Sequence, residues 1–324
     1  GISMETILHL LPLTDGQKAA FQAAAPEAEH LFLPTNDRRG ATDIPPDWRA
    51  RTTLLLGFVP GKDLKTFPHL KWVQSWNAGV DPYLVPGVLP DGVVLTCAAG
   101  AYGPAVSEHM LAMLLAIYKL LPGYRDLQRS HTWGAWDGLG PVYSLRGETV
   151  LVGGTGDISR HFARLCRALG ARTIWGLHRS DKPVEDFDRT FPLSEIDALL
   201  PQADVVALTL PHTPETAGLM DTRRLLLMKS DAVLLNAGRG SAVDCDALAQ
   251  VLNEGHLLGA GMDVTSPEPL PADHPLWDAP RALITPHSAG GYNHMTVTLD
   301  NVADLFLDNL KRWVAGEPLR SRMK

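Results

Sequence analysis

Cysteine is scarce: three in 324 residues, and Cys97, Cys166 and Cys245 show no metal-ligand spacing. An odd and small count argues against a disulfide framework, and free thiols fit a reducing cytoplasm. No metal site is expected. A basic excess is missing as well: with a formal net charge of −7 and a pI near 5.9, the chain offers no nucleic-acid-binding face. The local pairs Arg38–Arg39 and Arg223–Arg224 read as solvated charge. No apolar run approaches the ~20 residues needed to span a bilayer, and no basic-then-apolar leader opens the chain, so no membrane partner is expected. Gly1-Ile2-Ser3 ahead of Met4 reads as an expression scar.

What the chain does have is length and rhythm. At 324 residues it is long for a single core, so two domains are expected. Short β-rich runs alternate with helical periodicity, the pattern of parallel α/β layers. The first series of strands is expected at Ile7–Leu11, Leu31–Leu33, Thr53–Phe58, Lys71–Ser75 and Val93–Thr96. A long amphipathic helix follows from Ala105 to Leu121, stopped by Pro122-Gly123. The second series runs Thr149–Val152, Arg172–Leu177, Val205–Leu210, Ala232–Leu235, Leu257–Met262 and Ala282–Thr285. A last helix carries Val302, Leu305, Phe306, Leu310 and Trp313 on one face, and it needs a surface to pack on. Placing it against the first series makes the chain cross between domains near residues 100 and 290. The expected division is one domain of residues 4–100 with 291–324 and a second, 101–290, inserted in it. A cleft between two such domains is a usual ligand site.

Strand Thr149–Val152 runs into Gly153-Gly154-Thr155-Gly156-Asp157-Ile158-Ser159, followed by an amphipathic helix with Ile158, Phe162, Leu165, Cys166 and Leu169 on one side. This is the G-x-G-x-x-G turn with Ser159 in the third glycine's place. Gly154 allows the tight turn, Gly156 the close approach of a pyrophosphate, and the helix start at Asp157 and Ile158 offers N–H groups to it. Ser159 either loosens the helix–strand packing or supplies a hydroxyl to phosphate. Alone, such a turn is a weak signal; strand before and helix after strengthen it. An NAD site wants a carboxylate at the end of the next strand, and here stand Leu177-His178-Arg179-Ser180. A guanidinium and hydroxyls suit a 2′-phosphate, so NADP is favoured, with NAD possible. The bland alternative is that Arg179 is a solvated loop residue.

Three polar groups lie just past strand ends: Arg239, Glu268 and His287. Open parallel sheets bind ligands at that edge. Reduction of a 2-oxo acid needs a fixed cation for the carboxylate, which Arg239 supplies. It also needs a proton donor titrating near neutrality, which is His287, and a carboxylate to orient the imidazole, which is Glu268. Singly, each is more often structural. Jointly, after successive strands of one sheet, they read as a catalytic set. His109, His161, His212, His274 and His294 lack that setting and read as structural or surface residues.

At these residues the chain resembles the D-isomer-specific 2-hydroxyacid dehydrogenase family. The likeness spans Asn77-Ala78-Gly79-Val80-Asp81, Val106-Ser107-Glu108-His109, the glycine turn and Leu210-Pro211-His212-Thr213-Pro214-Glu215-Thr216. It continues through Asn236-Ala237-Gly238-Arg239-Gly240, Met262-Asp263-Val264 to Glu268-Pro269, and Thr285-Pro286-His287-Ser288-Ala289-Gly290. The resemblance implies two doubly wound parallel-sheet domains, a Rossmann cofactor domain inserted in a flavodoxin-like substrate domain. It implies the same Arg239, Glu268 and His287 set, with N–H groups of Ala78 and Gly79 on the substrate carboxylate. It also places Asp263 at the nicotinamide carboxamide, Leu210, Pro211 and Thr216 on the adenine side, and Ala237 among the cofactor contacts. The basic run after Leu177 is similar to the glyoxylate/hydroxypyruvate reductase branch. A homodimer is implied, with Trp133 and Trp136 resembling an arm that reaches the partner, or else packing in an interface or core. Thr265 stands where the family usually has an aromatic, so the Glu268 loop is a point of departure. Trp76, Tyr102, Trp133 and Tyr292 are open as pocket walls. Two other readings stay open: an NAD-linked dehydrogenase for a bulkier acid, and a dinucleotide-sensing binding protein without catalysis.

Overall fold

The computed structural model describes residues 4–33, 43–134, 138–291 and 296–324. Arg38, Arg39, Trp136, Tyr292 and His294 lie outside the described residues. The chain divides into two compact units, Gly1–Tyr102 with Gly291–Lys324, and Gly103–Gly290.

In the first unit the order is β1 (Thr6–His9), α1 (Asp15–Ala24), β2 (Glu29–Phe32), α2 (Pro46–Arg51), β3 (Leu54–Gly57), β4 (Trp72–Ser75), α3 (Asp81–Leu84) and β5 (Val94–Thr96). The five strands form one parallel sheet in the order β2-β1-β3-β4-β5, the flavodoxin-type arrangement. β1, β3 and β4 are buried throughout, as a sheet covered on both faces requires. Thr14 caps α1 by a reciprocal capping box with Gln17.

The chain's end is tied back into this unit. In the C-terminal helix Thr296–Ala315, Val302, Leu305, Phe306 and Leu310 are buried, while Trp313 stacks on Trp72 with ring centroids 5.3 Å apart. Asn309 donates to Gln74 Oε1 at 2.7 Å, and the same oxygen accepts from Thr96 Oγ1 at 2.7 Å. Thr96 in turn accepts from Trp72 Nε1 at 2.9 Å. Such a buried network is stable because every member is paired.

The second unit opens with α4 (Gly103–Tyr118) and α5 (Leu121–Arg129). Here the expected helix stop fails. Pro122 sits in the first turn of α5, where its missing N–H costs nothing, and the break comes instead at Leu120, left-handed at φ 58°. Leu121, expected on the apolar face, is exposed. There follow β6 (Thr149–Gly153), α6 (Asp157–Ala168), β7 (Thr173–His178), β8 (Arg189–Pro192), α7 (Ile196–Leu199), β9 (Val205–Leu208), α8 (Thr222–Leu227), β10 (Val233–Asn236), α9 (Cys245–Asn253), β11 (Gly259–Met262) and β12 (Ala282–Ile284). All seven strands run parallel in the order β12-β11-β10-β9-β6-β7-β8. Leaving out the seventh strand, that is the Rossmann order, with the reversal of winding between β6 and β9. β8 has no counterpart in the sequence reading: it is an edge strand with Arg189 outward and Pro192 at its end, so it lacks the apolar run of a central strand.

Arg223 and Arg224, read as solvated, both bond Asp197, at 3.0 and 2.8 Å. All three cysteines are free and buried. Among the described residues no single helix is long and apolar enough to cross a membrane.

At the opposite edge of this sheet from the strand C-termini, Asp204 accepts from Thr149 N and from Lys229 Nζ, each at 2.8 Å. Burial, then the hydrogen bond shared with Asp204, pushes the neighbouring Glu148 carboxyl up to about 8. Glu148 is therefore protonated in the folded chain at neutral pH and ionised in the unfolded one. Its contribution is full below the ordinary glutamate range and is lost as pH rises through about 8. Stability in urea should fall between those limits, and Glu148→Gln should flatten the fall. An identical pH slope in the variant would refute this.

Candidate active site

The site grows out of the C-terminal edge of the seven-stranded sheet. β6 ends at Gly153, whose added Cβ would lie 2.8 Å from Leu208, and Gly154 then turns at φ 109°. Gly156 is the N-cap of α6 and makes no side-chain cap bond. A Cβ built there would meet nothing within 4 Å, so the space in front of the helix start is open. Open space before uncapped N–H groups, with Asp157 exposed and Ile158 half-buried, fits a pyrophosphate.

Ser159, in the third glycine's place, is drawn into the interior. It is 1% exposed, and its hydroxyl pairs with the hydroxyl of Thr209, which donates to Gly153 O at 3.2 Å. The serine therefore ties α6 to the end of β9 and is not a phosphate ligand. The buried face of α6 is Ser159, Phe162, Ala163 and Cys166, with Leu169 exposed, a rotation from the face expected.

β7 ends at His178, whose Nδ1 bonds Thr155 Oγ1 of the glycine turn at 2.8 Å. Arg179 follows, exposed, and Ser180 Oγ accepts from Lys182 N at 3.3 Å. The segment is anchored behind by Thr190 Oγ1 donating to Lys182 O at 2.6 Å, and by Arg160 and Arg164 on Asp186 at 3.2 and 3.0 Å.

Beyond β9, Leu210 is 8% exposed and Thr216 is 4% exposed. Thr216 Oγ1 donates to Pro211 O at 2.7 Å, so its hydroxyl knots the loop and Pro211 is the residue presented outward. His212 Nδ1 bonds Ser241 Oγ at 2.7 Å, joining this loop to the one that carries Arg239.

β10, β11 and β12 are neighbours, and Arg239, Glu268 and His287 follow them in that order. Ala237, half-buried, bonds Leu208 O through its N–H at 3.0 Å. Asn236 braces the Arg239 loop: its Oδ1 accepts from Gly238 N at 3.1 Å, and its Nδ2 donates to Arg239 O at 3.0 Å. Two glycines flank the arginine because backbone passes too close for any side chain. A Cβ on Gly238 would lie 2.8 Å from Leu210 N and O, and one on Gly240 1.9 Å from Thr265 O. Arg239 is thus clamped between the loop after β9 and the loop holding Glu268.

Glu268 and His287 are brought together. His287 Nδ1 lies 2.9 Å from Glu268 Oε2. An ionised carboxylate only accepts, so Nδ1 donates and Nε2 is the ring nitrogen outside this contact. The side chains are 42% and 41% exposed, so this pair contributes only ~0–1 kcal/mol to stability; its consequence is orientation. Thr265, in the aromatic's place, is buried: its N–H donates to Glu268 Oε1 at 3.3 Å and its hydroxyl to Pro267 O at 2.8 Å. The departure leaves Glu268 on the imidazole.

Asp263, expected at the nicotinamide carboxamide, lies just past the end of β11. It is 2% exposed and its carboxylate is engaged by Thr285, Ser288 and Ala289 of the His287 loop. The contact missed in the sequence is His109, whose Nε2 lies 2.9 Å from Thr285 Oγ1 across 176 positions of chain. In the first unit, Ala78 is exposed and Gly79 half-buried just past β4. Trp76 and Tyr102 are buried there, the tyrosine hydroxyl donating to the Trp76 carbonyl. Trp133, in the second unit, is 98% exposed.

The sequence profile of the D-isomer specific 2-hydroxyacid dehydrogenase NAD binding domain matches residues 111–289. A D-isomer specific 2-hydroxyacid dehydrogenase family protein of Aeromonas salmonicida subsp. salmonicida A449 superposes with a TM-score of 0.83 at 32% identity, over 99% of both chains. The NADPH-dependent glyoxylate/hydroxypyruvate reductase of Sinorhizobium meliloti, solved with NADP and sulfate, superposes at 0.76 and 25% identity, over 99% of this chain and 98% of that one. The glyoxylate reductase of Thermofilum pendens is 29% identical over 275 residues, 84% of this chain and 80% of the relative. With its two parallel-sheet domains, glycine turn and matching profile, the chain belongs to the D-isomer-specific 2-hydroxyacid dehydrogenase family and is an NAD(P)-dependent enzyme of that kind.

Proposed function

We propose that the chain reduces a small 2-oxo acid of the glyoxylate or hydroxypyruvate type, with NADP(H) preferred over NAD(H). The observation that carries this reading is the His287–Glu268 pair, 2.9 Å apart on the strand edge that also bears the glycine turn. A bound nicotinamide supplies the hydride. Arg239 holds the substrate carboxylate and polarises the carbonyl, and N–H groups of Ala78 and Gly79 assist with the carboxylate. His287 Nε2 delivers the proton to the carbonyl oxygen as the carbon is reduced, while Glu268 stabilises the imidazolium that precedes delivery. A sensor that only bound the dinucleotide would have no use for an imidazole oriented by a carboxylate.

The NADP preference is supported by exposed Arg179 after β7, in a strand end that carries no carboxylate, and by the NADP bound to the Sinorhizobium relative. Gly154, Gly156, Asp157 and Ile158 would hold the pyrophosphate, His178, Arg179 and Ser180 the 2′-phosphate, and Leu210, Pro211, Thr216 and Ala237 the adenosine and nicotinamide flanks. Asp263 braces the His287 loop and would meet the nicotinamide carboxamide. A homodimer is part of the same reading. Leu121, Trp133, Leu139 and Val142 are all exposed within one short stretch of the second unit, which a second copy would cover.

Loss of 340 nm absorbance on mixing the protein with NADPH and glyoxylate or hydroxypyruvate tests the activity. His287→Ala should lower kcat by about 100-fold or more with NADPH affinity spared; unchanged turnover would remove the imidazole from the chemistry. Arg179→Ala should weaken NADPH use by about tenfold and leave NADH use nearly intact, whereas equal losses would refute the 2′-phosphate role. In sedimentation, the wild type should run at the mass of two chains and a Leu121→Ser, Trp133→Ser double variant as one. A monomeric wild type would end the dimer reading.

A further inference from the structure

The loop that carries His287 is held by a line of side chains that the chemistry above does not use. Asp263 is the anchor. Its Oδ1 accepts from Thr285 Oγ1 at 2.7 Å and from Ser288 N at 2.9 Å, and its Oδ2 accepts from Ala289 N at 3.2 Å. Its own carbonyl accepts from His287 N at 2.8 Å. Between these bonds His287 is left-handed at φ 54°, a conformation a non-glycine residue keeps only when its surroundings over-determine it. The strained residue is the one whose Nδ1 must meet Glu268.

Hydrogen bookkeeping extends the line to a helix. The hydroxyl of Thr285 has one proton and gives it to Asp263, so toward His109 it can only accept. His109 Nε2, 2.9 Å away, therefore carries the proton it donates. The same nitrogen lies 3.8 Å from Asp263 Oδ1, and the His109 side chain is 24% exposed. His109 belongs to α4, which packs against β10 and β11, so the line runs from a helix fixed on the sheet into the loop.

We propose that His109 is a positioning residue for His287: by donating to Thr285 it fixes the hydroxyl that Asp263 receives, and so holds residues 285–289 in the one conformation that sets His287 on Glu268. The proposal rests on the acid/base reading of His287. It gives His109 a role that its sequence setting did not suggest, and it needs only an N–H at the Nε2 position.

That requirement supplies the test. Glutamine on a helix places an amide N–H at about the reach of imidazole Nε2, whereas leucine fills the space with no donor. Initial rates of NADPH oxidation with glyoxylate are measured for His109→Leu, His109→Gln, Thr285→Val and the His109→Leu, Thr285→Val double variant, with NADPH affinity from fluorescence. His109→Leu should lower kcat by about 10- to 100-fold, the scale of a misplaced catalytic group, with NADPH affinity little changed. His109→Gln should recover most of that loss. The double variant should be no worse than the poorer single, because both cut one link. Equal rates for the leucine and glutamine variants, or multiplicative losses in the double variant, would overturn the proposal. If His109→Leu fails to fold, the Thr285→Val and glutamine arms decide it: full turnover in Thr285→Val refutes it, and turnover kept by glutamine but lost in Thr285→Val upholds it. His287→Ala, assayed alongside, separates the two levels: full activity there sinks the acid/base reading itself, while loss there with none in His109→Leu sinks only the positioning role.

Discussion

The constraint on which the β11 and β12 end of the strand edge depends is the hydrogen bond from His287 Nδ1 to Glu268 Oε2. Partly exposed, it adds little to stability, so the fold must hold both side chains in place by other means. On the glutamate side, Gly240 lets the Arg239 loop lie directly on the Thr265 backbone, and Thr265 bonds Glu268 and Pro267. On the histidine side, Asp263 holds the loop around its left-handed residue. A weak contact becomes a fixed one because its neighbours are rigid.

The parallel sheet explains why such distant residues meet. β10, β11 and β12 lie side by side and run the same way, so the loops that follow them emerge together. β9, β6 and β7 continue the row, bringing the loop of Leu210, the glycine turn and Arg179 to the same edge. The candidate groups are thus ranged along one line: the glycine turn and Arg179 toward β7, Glu268 and His287 toward β12. Cross-ties such as His212 to Ser241 and Ser159 to Thr209 keep adjacent loops in register with one another.

Much of this was legible in the chain because the signals were local. Central strands such as Val205–Leu208 and Val233–Asn236 are apolar runs, and the glycine turn sits between a strand and a helix in plain sequence. Arg239, Glu268 and His287 each stood directly after such a strand. What escaped was decided in three dimensions. Edge strand β8 has no apolar run to betray it. Pro122 reads as a stop, yet the chain turned at Leu120 and began a new helix. Ser159 forms a buried hydroxyl pair with Thr209, which lies 50 positions away and could not be read from the turn alone. His109 and Asp263 could be quoted from motifs, but their shared partner, Thr285, is set by the packing of α4 on the sheet.

The central contact makes a claim about a single proton. If Glu268 accepts from Nδ1, the neutral imidazole of His287 carries its hydrogen on Nδ1 and leaves Nε2 bare. Nitrogen-15 NMR of the histidine-labelled protein, with the His287 signals assigned by their loss in a His287→Ala variant, reads that tautomer directly. The account predicts the Nδ1–H form in the neutral ring, with its preference lost in Glu268→Gln. A neutral His287 protonated on Nε2 in the wild-type protein would contradict it.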